Sequence, residues 1–195
     1  MIYMLRQRRL TLLDPARWDD RNDAAFLAEY KRRKRAAAVL ALCFFQTPEK
    51  RHYWRGYADG MDGAAVEFRA ERLLPALENV HNVAHGHVEY RTLQDVREKP
   101  LKVDDLPFIK RKAYEDEEEY RVTYTDKEKS IDFLDCDIDL NCILRVTLSP
   151  RLPQRFLDVV RQTLQGIAGC GELKVIRSRL IESEAWQECA YGAKR

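Results

Sequence analysis

Ten consecutive residues, AAAVLALCFF from Ala36 to Phe45, carry no charged or amide side chain. The run is too short to cross a bilayer, which takes about 20 apolar residues. It fits a strand buried on both faces in the middle of a sheet, and the remaining segments have to be arranged around it. No run of about 18 apolar residues occurs anywhere in the chain, so no membrane span is expected. The start, MIYMLRQRRLTLLDP, lacks the apolar core and small-residue cleavage site of a secretory signal.

The flanking segments alternate in character. Ile2 to Leu13 reads as a strand entering a turn at Asp14-Pro15. RWDDRNDAAFLAEYKRRKRA reads as a helix with Asp23 as N-cap, Ala24, Phe26, Leu27 and Tyr30 as apolar positions, and the basic run Lys31 to Arg35 at its C-terminal dipole. After the turn at Thr47-Pro48, with Pro48 at the first helical position, Glu49 to Asp59 reads as a short aromatic helix ended by Gly60 and Gly63. AAVEF is a strand, Leu73 to Val80 a short helix, HVEYR another strand, and Leu101 to Asp116 loop and helix. EYRVTYT, SIDFLD and CILRVTL then give three strands at hairpin-like spacing.

Ser149-Pro150 looks like a helix start, and PQRFLDVVRQTLQ puts Phe156, Leu157, Val160 and Leu164 on one face. LKVIRSRL is a last strand, and Glu182 to Cys189 a closing helix with Trp186. The expectation is α+β: one domain over residues 1–195, with a mixed, mainly antiparallel sheet flanked by helices. Residues 1–35 form an N-terminal strand-helix segment, and residues 150–195 a C-terminal helix-strand-helix segment.

Charged residues reach 34% but leave a net charge of only +2, which argues against a nucleic-acid binder held by bulk charge. A local basic patch stays open. The five cysteines lie at unrelated spacings without CxxC pairs, as expected of reduced thiols in a cytoplasmic protein. GxxxxGK[ST], GxGxxG after a strand, HExxH and GxSxG are all absent, which removes support for P-loop phosphoryl transfer, dinucleotide hydride chemistry and esterase chemistry.

The most informative stretch is KRKAYEDEEEYRVTYT, Lys110 to Thr125. Read as an acidic helix end running into a strand, it puts Tyr120, Val122 and Tyr124 on one face and Glu117, Glu119, Arg121 and Thr123 on the other. Carboxylates so close repel and raise one pKa, and an arginine offsets the repulsion. Such a row is either a salt-bridged solvent face or the lining of a pocket. His81, His85 and His87 have a spacing that could serve a metal, or be exposed loop histidines. Asp135, Asp137 and Asp139 alternate and could hold magnesium in a nuclease, or be an acidic hairpin. No metal is expected. Tyr53, Trp54 and Tyr57 pack a helix on the sheet or form an aromatic wall for a planar ring.

The ordered motifs Cys43-Phe44, Trp54, Tyr57-Ala58-Asp59, Gly63, Glu67-Phe68, Lys110, Tyr114, Glu117, Glu119 and Arg121, with Asn22-Asp23 upstream, resemble the domain-of-unknown-function 2971 family of bacteria and phages. The resemblance covers nearly the whole chain. Ala24 stands where that family's pattern has proline.

The same block order is similar to the arginine-serine-glutamate layout of ADP-ribosyltransferases. That resemblance implies an NAD-consuming transferase or glycohydrolase, a toxin or phage-defence effector, with NAD as substrate and a protein, RNA or DNA acceptor. It implies that Glu119 holds the ribose hydroxyls and stabilises charge at the anomeric carbon, and that Glu117 orients the acceptor. Arg6, Arg8 or Arg9 would meet the pyrophosphate and Tyr53 or Trp54 would stack on nicotinamide, with Tyr57 in the same aromatic wall and Arg121 extending the charged row. Where that layout has a small hydroxyl residue, this chain has Phe45-Gln46, with Thr47 the nearest hydroxyl. The alternative is a non-catalytic nucleic-acid- or protein-binding regulatory module.

Overall fold

The computed structural model describes residues 1–58 and 60–192. In chain order the elements are α1 (Ile2–Gln7), β1 (Arg9–Leu13), α2 (Arg21–Lys34), β2 (Ala38–Phe45), α3 (Arg51–Gly56), β3 (Ala64–Phe68) and α4 (Ala70–Glu78). They continue with β4 (Val83–His87), β5 (Glu89–Arg91), α5 (Leu93–Glu98), β6 (Ile109–Arg111), β7 (Glu119–Asp126) and β8 (Phe133–Asp137). The last are β9 (Ile143–Leu148), α6 (Gln154–Gln165), β10 (Val175–Arg177) and α7 (Glu184–Tyr191). The class is α+β, with a five-stranded antiparallel sheet and two smaller sheets. Among the described residues, no helix is long and apolar enough to cross a membrane.

Backbone contacts divide the chain into two compact units. The first comprises Met1–Arg8, Glu49–Leu73 and Ile138–Arg195; the second comprises Arg9–Pro48 and Leu74–Asp137.

The second unit holds the sheet β4-β7-β2-β1-β8. The apolar strand β2 lies at its centre, paired over its whole length with β7, from Ala38 opposite Asp126 to Phe45 opposite Glu119. One face carries Val39 and Ala41, against which α2 lays Leu27, flanked by Trp18, Tyr30 and Ala36. The other carries Leu10, Leu12, Leu40, Val122 and Cys136, all buried. Apolar side chains are therefore withdrawn from water on both faces of the central strands, which is why the run from Ala36 needs no alternation.

The first unit pairs β9 with β3 antiparallel and with β10 parallel. The parallel pair requires a crossover, and α6 supplies it. Its buried Leu157 and Leu164 face inward, while Arg161 and Gln165 donate to the carbonyls of Val175 and Leu173 at 3.2 and 3.0 Å.

Several expectations are corrected. Ile2 to Leu13 is not one strand: a six-residue helix precedes β1, and Arg8 joins them in the left-handed conformation. The N-cap of α2 is Asp20, whose carboxylate accepts from the amides of Asn22 and Asp23, so Asp23 lies inside the first turn. The aromatic helix is shorter than Glu49 to Asp59, beginning at Arg51 and not at Pro48; Asp59 lies outside the described residues. HVEYR is broken at Val88 between β4 and β5, which belong to different sheets. Leu101 to Asp116 contains β6 between two 3-10 turns and no α-helix.

The expected run of hairpins is also absent: β7 and β8 are separated in the sheet by β2 and β1, and β9 lies in another sheet. Helix α6 starts after Pro153; the Ser149 hydroxyl donates to the Gly60 carbonyl at 2.8 Å and accepts from the Arg151 amide at 3.2 Å, so it closes a turn ahead of the helix.

Candidate functional site

The charged row of β7 closes into a buried ion cluster within the second unit. Its strand part alternates as the sequence suggests, with Glu119, Arg121 and Thr123 on the face covered by α2. Glu117 is not on the strand. It ends a 3-10 turn, and Glu118 then takes a left-handed conformation at φ 43°. This reversal aims the carboxylates of Glu117 and Glu119 at one ammonium, Lys110 on β6, whose Nζ donates to them at 2.5 and 2.9 Å.

Arg121 is fully buried. Its Nε donates to Glu119 Oε1 at 2.6 Å, and its two terminal nitrogens grip both oxygens of Asp23 at 2.9 and 2.6 Å. Nη1 also donates to the Pro107 carbonyl at 2.9 Å, and the guanidinium lies 5.1 Å from the Trp18 ring centroid. Such forked, charge-assisted bonding is what the planar guanidinium does well. Lys110 lies 5.0 Å from the ring centroid of Tyr114, and the Glu119 amide donates to the Tyr90 hydroxyl at 2.8 Å.

Three carboxylates thus meet two cations, leaving the cluster a formal −1. The titration shifts follow that imbalance. Burial pushes Glu119 up, but Arg121 and Lys110 outweigh it and hold the carboxyl below its ordinary range. Burial also pushes Asp23 up, and there it prevails over Arg121, helped by the negative charge of Glu119. Against a burial effect that would lower them, Lys110 and Arg121 are held above their usual values by these carboxylates. Burial also lifts Tyr90 to about 12.

The cluster has one edge on water. Cys43 lies on β2 directly opposite Arg121 and has exposed surface. Its thiol donates to Glu119. Protein packed around it, and then the Glu119 charge, push the thiol well above its ordinary pKa, so it is a neutral donor and not a thiolate nucleophile.

Of the residues singled out from sequence, the fold brings Glu117, Glu119 and Arg121 together. Arg9, on β1, pairs instead with Asp137 of β8 at 3.0 Å. Arg6, Arg8, Tyr53, Trp54 and Tyr57 belong to the other unit. There Tyr53 and Trp54 are buried, with Trp54 Nε1 bonded to Glu49 at 2.9 Å, while Tyr57 is exposed.

His85 and His87 flank Tyr120 on the opposite face of the sheet from the ion cluster. His85 Nδ1 is 2.5 Å from the Tyr120 hydroxyl, and its Nε2 is 3.3 Å from Glu78. Asp135 accepts from Thr11, Asp137 from Arg9, and Asp139 caps a turn at Asn141, so the three aspartates serve separate partners. Among the described residues no group of three or more such side chains is arranged to hold a metal ion.

Asp23, Cys43, Tyr90 and Trp18 had no site role in the sequence reading. Asp23 and Cys43 do stand among the motif residues of the resemblance, and so do Lys110 and Tyr114; that shared membership is the signal that could have found them. Comparison with family models, with curated proteins and with solved structures gives no match.

Proposed function

We propose that the chain is a non-catalytic binding module of a regulatory kind, and that the Glu119 cluster organises its fold instead of performing chemistry. One observation carries this reading: both oxygens of Glu119 and both of Asp23 are held by buried cations. A general base or ribose clamp needs a carboxylate free to meet its substrate. Here Lys110 and Arg121 occupy those positions. Part of the charge of the basic run on α2 is also offset, with Arg32 and Arg33 sharing Glu29 and Lys34 paired to Asp104. That weakens the cationic field a nucleic-acid backbone would require and favours a protein or small-ligand partner.

The second reading is the NAD-consuming enzyme of the ADP-ribosyltransferase resemblance, within the domain-of-unknown-function 2971 pattern. Its support is convergence: Asp23, Cys43, Lys110, Tyr114, Glu117, Glu119 and Arg121 come from separate segments to one place. For Glu119 to bind a ribose, Lys110 and Arg121 would have to release it.

The two readings separate on incubation of the intact protein with NAD and detection of nicotinamide by mass spectrometry. The expected result is no release from the wild type, with or without candidate acceptors. Release by the wild type that disappears in a folded Glu119→Gln or Glu117→Gln variant establishes the enzyme and overturns the binding module.

A further inference from the structure

The first unit contains a cavity of about 450 Å³, within the range of roughly 300–1,000 Å³ common to small-molecule sites. Its charged lining is Arg8, Arg69, Arg72 and Lys174 against Asp139 and Glu172, a formal +2. Apolar walls come from Leu5, Ile143 and neighbouring leucines.

The four cations are not equivalent. Arg69 is tied into the scaffold, its Nη1 donating to the carbonyls of Asn141 and Ile143 at 2.9 and 2.8 Å. Arg72 makes only a long bond, 3.3 Å, to the Asn141 carbonyl. Arg8 and Lys174 make no side-chain hydrogen bond or ion pair with the described residues. Asp139 does not neutralise them directly, because its two oxygens accept from the amide and side-chain nitrogens of Asn141, both at 2.9 Å.

Arg8 is nevertheless positioned. Its backbone, at φ 55°, terminates α1, and its carbonyl accepts from Ile138 at 2.8 Å. Its guanidinium lies so close to Gly169, at φ 88°, that a side-chain carbon there would come within 3.1 Å of Nη2. The glycine both permits the backbone turn and leaves room for the arginine.

We infer that this cavity binds a small phosphorylated ligand through Arg8, Arg72 and Lys174, with Arg69 holding the wall they stand on. Guanidinium groups with unused donors suit the bidentate recognition of phosphoryl oxygens, and a lysine adds a point charge. Several cations around a concave surface match two adjacent phosphoryl groups better than one, and the apolar walls suit an organic moiety attached to them. This inference deepens the binding-module reading by naming its ligand class. It does not involve Glu119, so NAD turnover would overturn that reading without touching this site, and absent phosphate binding would do the reverse.

The test uses the intact chain in isothermal titration calorimetry with inorganic pyrophosphate, ADP and a short single-stranded oligonucleotide, each at low and physiological salt. Pyrophosphate and ADP should bind, with affinity falling as salt rises. Each of Arg8→Gln and Arg72→Gln should weaken binding roughly tenfold, the loss of one charge-assisted hydrogen bond. Both positions are exposed, and thermal unfolding at the wild-type temperature identifies folded variants. Arg69→Gln should lower stability as well as affinity. Absence of binding by both diphosphates, or unchanged affinity in folded Arg8→Gln and Arg72→Gln proteins, overturns the proposal. So does an oligonucleotide that binds more tightly than ADP, which would assign the surface to a nucleic-acid backbone.

Discussion

Replacing Arg121 by methionine keeps most of the apolar stem and removes the guanidinium that joins Asp23 to Glu119. Four hydrogen bonds go with it, two to Asp23, one to Glu119 and one to the Pro107 carbonyl. Glu119 retains Lys110 at 2.9 Å, but Asp23 is left with Lys110 at 3.9 Å and a side chain only 3% exposed. Breaking a buried pair in this way costs about 3–5 kcal/mol. An independent bound comes from protonation: neutralising a carboxyl of ordinary pKa 3.9 at pH 7 costs about 4 kcal/mol.

The two figures agree, and the second adds a pH dependence. In the variant the folded pKa of Asp23 lies further above its unfolded value, so the native state binds the extra proton and loses stability as pH rises between the two. Because Asp23 is already raised in the wild type, about 4 kcal/mol at pH 7 and about 2 kcal/mol at pH 5.5 are upper limits, and the deficit should shrink as pH falls between them. Urea denaturation reads this directly; at a slope of about 2 kcal/mol/M the midpoint drops by up to about 2 M at pH 7. Arg121→Lys, which keeps the charge but not the fork, should lie between variant and wild type and serves if the methionine variant does not fold. A deficit under about 1 kcal/mol at pH 7, or one independent of pH, would refute the assignment of the cluster as a structural element.

Two further outcomes follow from the same geometry. Cys43 is exposed but protonated, so at neutral pH it should react with iodoacetamide more slowly than the exposed Cys189, by peptide mass spectrometry. In Glu119→Gln, which removes the second largest cause of its raised pKa, Cys43 labelling should accelerate; an unchanged rate would count against the thiol–carboxylate contact. Asp126 is held down at about 2 by the amides of Lys129 and Glu128 and by the Tyr124 hydroxyl. With a depressed folded pKa, its stabilisation is present above the unfolded value and lost as pH falls towards 2. Asp126→Asn should therefore flatten the acid limb of stability between about pH 4 and 2, and an unaltered limb would show that the turn contributes nothing.

How much of this was legible in the sequence depended on whether the deciding interaction was local. The apolar run from Ala36 gave the central strand because burial on both faces removes any need for alternation. The two faces of β7 were equally readable, since Tyr120, Val122 and Tyr124 do oppose Glu119, Arg121 and Thr123. Glu117 was misplaced because the left-handed turn at Glu118 breaks the period of two, and a glutamate is not the residue expected there. The partner of Arg121 lies 98 residues away on a helix, where Asp23 looks like any acidic residue near an N-terminus. Strand order was illegible for a related reason: the spacing of β7 and β8 suits a hairpin, and only the pairing of β8 with β1 and of β2 with β7 excludes it. The helix Ile2–Gln7 is six residues long, too short for periodicity to separate it from a strand.

A buried ion cluster of this size is poorly explained by stability alone, because apolar side chains of similar volume would serve as well or better. Register explains it. The cross-strand neighbours of Arg121 are Cys43 on β2 and Gly86 on β4, both small, and they leave the guanidinium room to run along the sheet towards α2. A slip of β7 by one residue would carry Arg121 to the face of Leu10, Leu12 and Leu40, away from Asp23 on the helix. The strand β7 carries polar or aromatic side chains at most positions, so its apolar pattern alone specifies that register weakly. The charges supply the discrimination that hydrophobic burial does not, and they can do so only while their partners stay in place. A cluster whose carboxylates had to leave these cations at each turnover would loosen the pairing on which the central sheet depends.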